Sequence, residues 1–295
     1  MGWMQIGDIV VRKSYKKDVT FKIIDIKETD SGISCTLKGI NLRILADSPM
    51  EDLEPVSGSN ISDKEKILDK KINASIRKIL MDREEGFSSS YRKGYRSQQN
   101  IEQMSELKFG RPGKILHIDG DAEYLNVCLK VYKQLSLDVV GKMIPEKDQA
   151  DQVLDLVKET RPDIIVITGH DAISRGTKDY TDLNNYRNSK FFVKTVSVLR
   201  GYESNYDDLV IYAGACQSCY EAILDAGANF ASSPNRVLIH CLDPVFLCEK
   251  IAYANIEKVV SIQEALENTI TGTKGIGGLQ TRGKYREGFP KSPYS

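Results

Sequence analysis

What the sequence has little of limits its function first. Acidic and basic residues are balanced at 41 each, so the formal net charge is zero and no overall field would draw in nucleic acid as the main partner. No run approaches the eighteen or so apolar residues that a membrane span needs. The opening Met1-Gly-Trp-Met-Gln-Ile-Gly-Asp8 lacks the zones of a signal peptide. These absences lead us to expect a protein made and kept on the cytosolic side, with no membrane span. Six cysteines in 295 residues do not make a disulfide framework, which fits a reducing compartment. Histidine is scarcer still: only His117, His170 and His240 are available as proton-transfer partners.

Two apolar stretches stand out against this background. Leu209-Val-Ile-Tyr-Ala-Gly-Ala-Cys-Gln-Ser-Cys219 reads as a buried strand that ends in small residues, and Tyr220 to Ala226 reads as a helix stopped by Gly227. Cys216 therefore falls between a strand end and a helix start, where amides and the helix dipole would favour a thiolate. Asp163-Ile-Ile-Val-Ile-Thr-Gly-His-Asp171 has the same form and delivers His170. The two residues are 46 positions apart, and caspase-type enzymes place the histidine about 50 residues before the cysteine. If the two strands are neighbours in a parallel sheet, both side chains reach the edge where α/β proteins bind ligands.

The length suits one large domain and a smaller one. Residues 1–57 hold short β-type runs and turn-formers, the pattern of a small SH3-like β-barrel with an accessory role in docking or targeting. Residues 58–111 read as a helical and flexible Arg-rich linker: Ser57-Gly-Ser-Asn60, a helix from Asp63 to Met81, and a polar, mobile piece from Arg83 to Gln99. Residues 112–271 alternate strand-like and helix-like stretches, which implies an α/β fold with a parallel sheet covered on both faces. Strands are expected near 114–119, 138–144, 163–168, 209–213, 236–241 and 257–260, so His170 and Cys216 follow the third and fourth. Residues 272–295 read as a flexible basic tail.

Other residues carry other chemistries. Cys35, Cys128, Cys241 and Cys248 read as core thiols, and His117 as a core or edge histidine. His240 nears the end of the expected next strand and belongs beside the same cleft if it takes part. Cys216-Gln-Ser-Cys219 is also a C-x-x-C at a helix start, the place of a redox pair, although it comes late in the fold. No second ligand pair supports zinc, and no metal or cofactor is expected. Asp119-Gly-Asp121 allows a different class, a Mg²⁺-dependent phosphate-handling domain, against the plainer reading of a helix N-cap.

The stretches Thr168-Gly-His-Asp171 and Gly214-Ala-Cys-Gln-Ser218 resemble the caspase, gingipain and clostripain group of cysteine peptidases. With Ile6-Gly-Asp-Ile-Val-Val-Arg12, Ala46-Asp-Ser-Pro49 and Arg111-Pro-Gly-Lys-Ile-Leu-His-Ile-Asp-Gly-Asp121, nearly the whole chain resembles the YabG sporulation-specific proteases of spore-forming Firmicutes. The resemblance implies a caspase-like fold and a cysteine endopeptidase that cuts spore-coat and cortex-enzyme precursors after basic residues, chiefly arginine. It also implies synthesis in the sporulating cell and association with the spore. Cys216 would be the nucleophile and His170 the proton shuttle, with backbone amides near Gly169 and Cys216 holding the oxyanion and no third residue fixing the pair. The chain departs from the pattern at Asp171, where caspase-like enzymes usually have glycine. It departs again at Gly214, where clostripain-like enzymes have an aspartate. The carboxylate of an arginine pocket must then come from Asp171, Asp179, Asp182 or Asp243. Self-cleavage in the Arg-rich segment is a corollary, and a non-catalytic coat-assembly adaptor is the remaining alternative. Oligomeric state is open.

Overall fold

The computed structural model describes residues 4–30, 32–56, 63–92, 108–292 and 294. Five short strands come first: β1 (Ile9–Arg12), β2 (Thr20–Thr29), β3 (Gly32–Gly39), β4 (Leu45–Pro49) and β5 (Leu53–Pro55). They form one antiparallel sheet in the order β4-β3-β2-β1-β5. Alternation along the strands turns Val10, Phe21, Ile23, Cys35, Leu37 and Leu53 to one side, where they make a core of their own. One 3₁₀ turn, Met50–Asp52, links β4 to β5, so the sheet must bend round to bring its two outermost strands together. No ladder joins them, and the expected barrel is not closed by strand pairing.

The expected linker Ser57–Asn60 lies outside the described residues. Helix α1 (Asp63–Arg92) passes well beyond the expected stop at Met81, into the segment read as mobile. Its inner face lies against the large domain. Ile79 is buried there with Ile72 and Ile76 beside it, and Arg83 donates to Glu249 Oε1 at 2.7 and 2.9 Å. That anchor is why a polar sequence stays helical. The rest of the expected mobile piece lies outside the described residues.

The large domain is a six-stranded sheet. Strand β6 (Phe109–Arg111) precedes it, followed by β7 (Ile115–Asp119), β8 (Val139–Met143), β9 (Ile164–Thr168), β10 (Val210–Ala213) and β11 (Phe230–Ser232). β12 (Val259–Val260) stands apart, and β13 (Ile276–Gly278) completes the sheet, whose order is β13-β11-β10-β9-β7-β8. All neighbours are parallel except β13, which runs antiparallel to β11. Period-two alternation splits the strands between two cores. Ile115, Ile164, Val166, Val210 and Tyr212 face α1, α2 (Ala122–Gln134), α6 (Asp243–Tyr253) and α7 (Ile262–Leu266). Leu116, Ile118, Ile165, Ile167 and Ile211 face α3 (Glu146–Thr160), α4 (Ser189–Tyr202) and α5 (Tyr220–Asp225). Burial on both sides explains the continuous apolar runs that made these strands readable.

Two expectations fail here. The stretch 236–241 is not a strand; β11 takes that place six residues earlier, and 236–241 is an irregular segment bridged to the first domain at Leu42 and His240. A short apolar run such as Val237-Leu-Ile239 does not say whether a sheet or a packed loop will take it up. The segment 272–295 is no free tail. Besides β13, it supplies β14 (Thr281–Arg282), paired with β12, and β15 (Arg286–Gly288), paired with β6. Its glycines allow close packing: a Cβ on Gly278, whose φ is +154°, would stand 2.2 Å from the Asn229 carbonyl oxygen. No helix among the described residues is long and apolar enough to cross a membrane.

Candidate active site

The sheet changes its direction of growth between β7 and β9, the point where α/β sheets open a crevice at the carboxyl ends of their strands. β9 delivers His170 there and β7 delivers Asp121. Imidazole Nε2 lies 2.9 Å from Asp121 Oδ2, so the histidine does have a third residue fixing it, contrary to the expected bare dyad. Asp121 is itself held twice. It caps α2, accepting from the Glu123 and Tyr124 amides, and Lys38 of the first domain stands 2.6 Å from Oδ2. Burial alone would raise its pKa; the His170 and Lys38 hydrogen bonds and the Lys38 charge instead hold it well below the usual carboxylate range. With Nε2–H given to Asp121, Nδ1 carries the lone pair, and it is buried with no hydrogen-bond partner.

β10 delivers the cysteine by an adjacent path. Gly214 leaves the strand at φ +110°, and Gln217 follows Cys216 at φ +58°, so the chain turns sharply at the sheet edge. The thiol is only 1% exposed. The Ile239 amide donates to Sγ at 3.2 Å, and the Arg43 backbone lies against it as well. Burial raises the Cys216 pKa to about 12, opposed by those amide contacts and by the Arg43 charge. The expected helix-start effect is absent: α5 begins four residues later, at Tyr220, with Cys219 as its cap. Both thiols of the C-x-x-C are free, and Cys219 Sγ points to the carbonyls of Tyr180 and Thr181 instead.

The first domain is part of this site, which the sequence reading had limited to docking. Arg43 is fully buried with NH1 2.5 Å from Asp119 Oδ2. The Tyr124 hydroxyl donates to the carbonyls of Gly39 and Leu42, and its ring lies 5.6 Å from the His170 ring. The Cys241 amide donates to the Asn41 carbonyl at 2.9 Å. The loop 39–44 thus lies against Cys216 and holds the Tyr124 ring beside His170. These contacts also account for the aspartates of the phosphate-handling reading. Asp119 accepts from Arg43, Thr168 and the Asp121 amide, and the Arg43 charge overcomes desolvation to hold its pKa at about 2. Its carboxylate and that of Asp121 are committed to protein donors, and no metal-binding group of His, Cys, Asp and Glu occurs among the described residues.

The four candidate pocket acids separate. Asp171 is buried and accepts from Ser189 Oγ, Ser218 Oγ and the amides of Asn188 and Ala172, so it ties the two catalytic-candidate turns together and has no place for a guanidinium. Asp243 is buried beneath the amides of His240, Ile270 and Thr271. Asp179 and Asp182 are exposed on the loop between His170 and α4. Among the other histidines, His117 is buried between the Tyr132 hydroxyl and Thr168, while burial and the Arg43 charge lower the pKa of His240 to about 4. Glu146 was missed: its carboxylate accepts the His170 amide at 2.6 Å and sits so close to Gly120 and Gly169 that a Cβ on either would meet it. A cleft of about 560 Å³ opens beside Cys216 and is lined by Arg12, Leu45, Asp47, Arg175, Tyr180 and Gln217 among others.

An α/β sheet with ionisable side chains gathered at its strand ends, beside a cleft, has the layout of an enzyme. The sequence pattern of the YabG peptidase U57 family matches residues 5–290, which takes in the first domain, the α/β domain and most of the folded tail. The chain belongs to that peptidase family. It is 43% identical over 293 residues to the Sporulation-specific protease YabG of Bacillus subtilis (strain 168), covering 97% of this chain and 98% of that protein.

Proposed function

We propose that the protein is a cysteine endopeptidase of sporulation, with Cys216 as nucleophile, His170 as base and acid, and Asp121 as the group that positions His170. The observation that carries this reading is the His170 imidazole, gripped at Nε2 by Asp121 while Nδ1 is buried without a partner. His170 Nδ1 takes the thiol proton as sulfur attacks the scissile carbonyl. The imidazolium returns that proton to the departing amine, leaving a thioester that water hydrolyses by the same route in reverse. The Gly169 and Cys216 amides make no hydrogen bond among the described residues and are the proposed oxyanion donors.

The enclosed, weakly acidic thiol marks the described form as a resting state, and the loop 39–44 must yield before a carbonyl reaches sulfur. Substrates are proteins. Spore-coat and cortex-enzyme precursors cut after arginine are the proposed targets, in the sporulating cell and at the spore coat. Of the four acids considered, Asp179 and Asp182 remain for the arginine pocket, flanking Tyr180 on the cleft wall. Within this reading the large sheet is of the caspase type, and the Arg-rich segment is the proposed site of self-cleavage. Intact mass of the wild type against Cys216→Ala, with an arginyl reporter, tests it. Equal mass and equal reporter hydrolysis for the two proteins would remove Cys216 from the mechanism.

A further inference from the structure

The outermost strand of the first domain is unpaired on one side, and that side faces the cleft. The Gly39 amide donates to the Ile44 carbonyl, so Gly39 and Ile44 are a directly bonded pair of the β3–β4 ladder. The register continues as Leu37 with Ala46 and Cys35 with Ser48. Bonded pairs alternate in an antiparallel ladder, so Ala46 and Ser48 turn their backbone groups inward while Leu45 and Asp47 turn theirs outward. Neither outward amide has a partner among the described residues. Pro49, the next outward position, has no amide hydrogen, which limits the open donors to the end nearest Cys216.

An exposed edge is usually blunted, because it invites pairing with any other chain. This one is instead screened within a cleft. Leu45, Ala46 and Asp47 line it together with the loop around Arg175 and with Gln217, directly after Cys216. Arg43, two residues before Leu45, already touches the cysteine sulfur. At about 3.4 Å per residue, a strand laid along β4 would bring its backbone within two or three residues of the thiol.

We propose that β4 is the substrate-binding strand: an extended segment of a protein substrate adds to its open edge through the backbone groups of Leu45 and Asp47. The occupant is an unfolded stretch of polypeptide, because the free groups are spaced two residues apart and pair with any sequence, leaving side-chain choice to the cleft walls. The first domain is thereby half of the substrate channel. The proposal rests on the peptidase reading for the fate of the segment, and not for its binding.

Asp47→Pro removes one outward donor at a position where an edge strand tolerates proline, and Asp47→Asn keeps the donor while removing the charge. The probe is a labelled peptide copying Arg92–Gln99 of this chain, titrated by fluorescence anisotropy into the Cys216→Ala protein, so that binding is read without turnover. Asp47→Pro is expected to weaken binding roughly three- to tenfold with an unchanged melting temperature, and Asp47→Asn to leave it within about twofold. In the wild-type background, Asp47→Pro should slow cleavage of the peptide more than that of a single-residue arginyl reporter. Unaltered binding in Asp47→Pro, an equal loss in Asp47→Asn, or no binding by the Cys216→Ala parent overturns the proposal. A wild type that binds the peptide and cleaves neither substrate would instead overturn the peptidase reading and leave strand addition supported.

Discussion

The histidine and cysteine halves of the site are built in opposite ways. His170 is held by charge, through an ionised Asp121 that Lys38 also holds, and its Nδ1 has no hydrogen-bond partner among the described residues. Cys216 is held by neutral enclosure, with amides and apolar walls around a thiol whose pKa is pushed to about 12. On the proposed mechanism, the imidazole is already poised and the thiol is not. One loop from the first domain lies against the sulfur and holds Tyr124 beside the imidazole, so on the proposed mechanism activation is a matter of that loop more than of the imidazole.

Breaking either half outright gives the largest effect: Cys216→Ala and His170→Ala should each lower turnover by roughly 10³-fold or more, checked by hydrolysis of an arginyl reporter. Next comes the positioning residue. Asp121→Asn keeps the shape and loses the charge that selects the tautomer, and a fall in kcat of roughly 10²–10⁴ with little change in KM is expected. A rise in KM with kcat intact would count against the positioning role.

Arg43→Ala strikes the loop that joins the halves. It leaves Asp119 buried without its counter-ion, and the expected cost is about 3–5 kcal/mol of stability, measured by urea unfolding. Since Asp119 has a lowered pKa in the folded state, the stability linked to it is present above its ordinary 3.8 and lost as pH falls toward about 2. Acid unfolding of Arg43→Ala should therefore show less pH dependence in that window. The contrast between the halves is also visible in reactivity. With a pKa near 12 against an ordinary 9.0, Cys216 holds roughly a thousandth of the thiolate of a free cysteine at pH 8. Iodoacetamide should label it slowly, and faster as pH rises. The smallest effect is expected at Ser218→Ala, about 1–2 kcal/mol, because its hydroxyl bonds both Asp171 and the Ala215 amide.

How much of this was readable in the residues depends on the range of the interaction concerned. β7, β9 and β10 were readable because both of their faces are buried and every residue says so. That β9 and β10 are neighbours was a condition of the sequence reading, and the sheet order meets it. β11 was not readable: Phe230-Ala-Ser232 is too short to stand out beside the β-branched and aliphatic stretch Val237-Leu-Ile239. Asp121 was noticed as a helix cap, and it is one. Its second task, holding His170, depends on β7 and β9 lying side by side, which no local spacing encodes. Arg43 gave no local sign at all, since an arginine in a short loop reads as solvated until another domain's carboxylate is placed against it.

Sequence alone determined the alternation of strands and helices, the placing of His170 and Cys216 just past strand ends, and the presence of a small β-rich domain, because periodicity and chain breaks act over a few residues. Only the tertiary structure decided what meets those tips: Asp121 on the imidazole, the Arg43 loop over the sulfur, the open edge of β4 beside it, and the folding of the tail into the sheet. Each of these joins groups far apart in the chain, and such contacts arise from packing and charge compensation between finished elements.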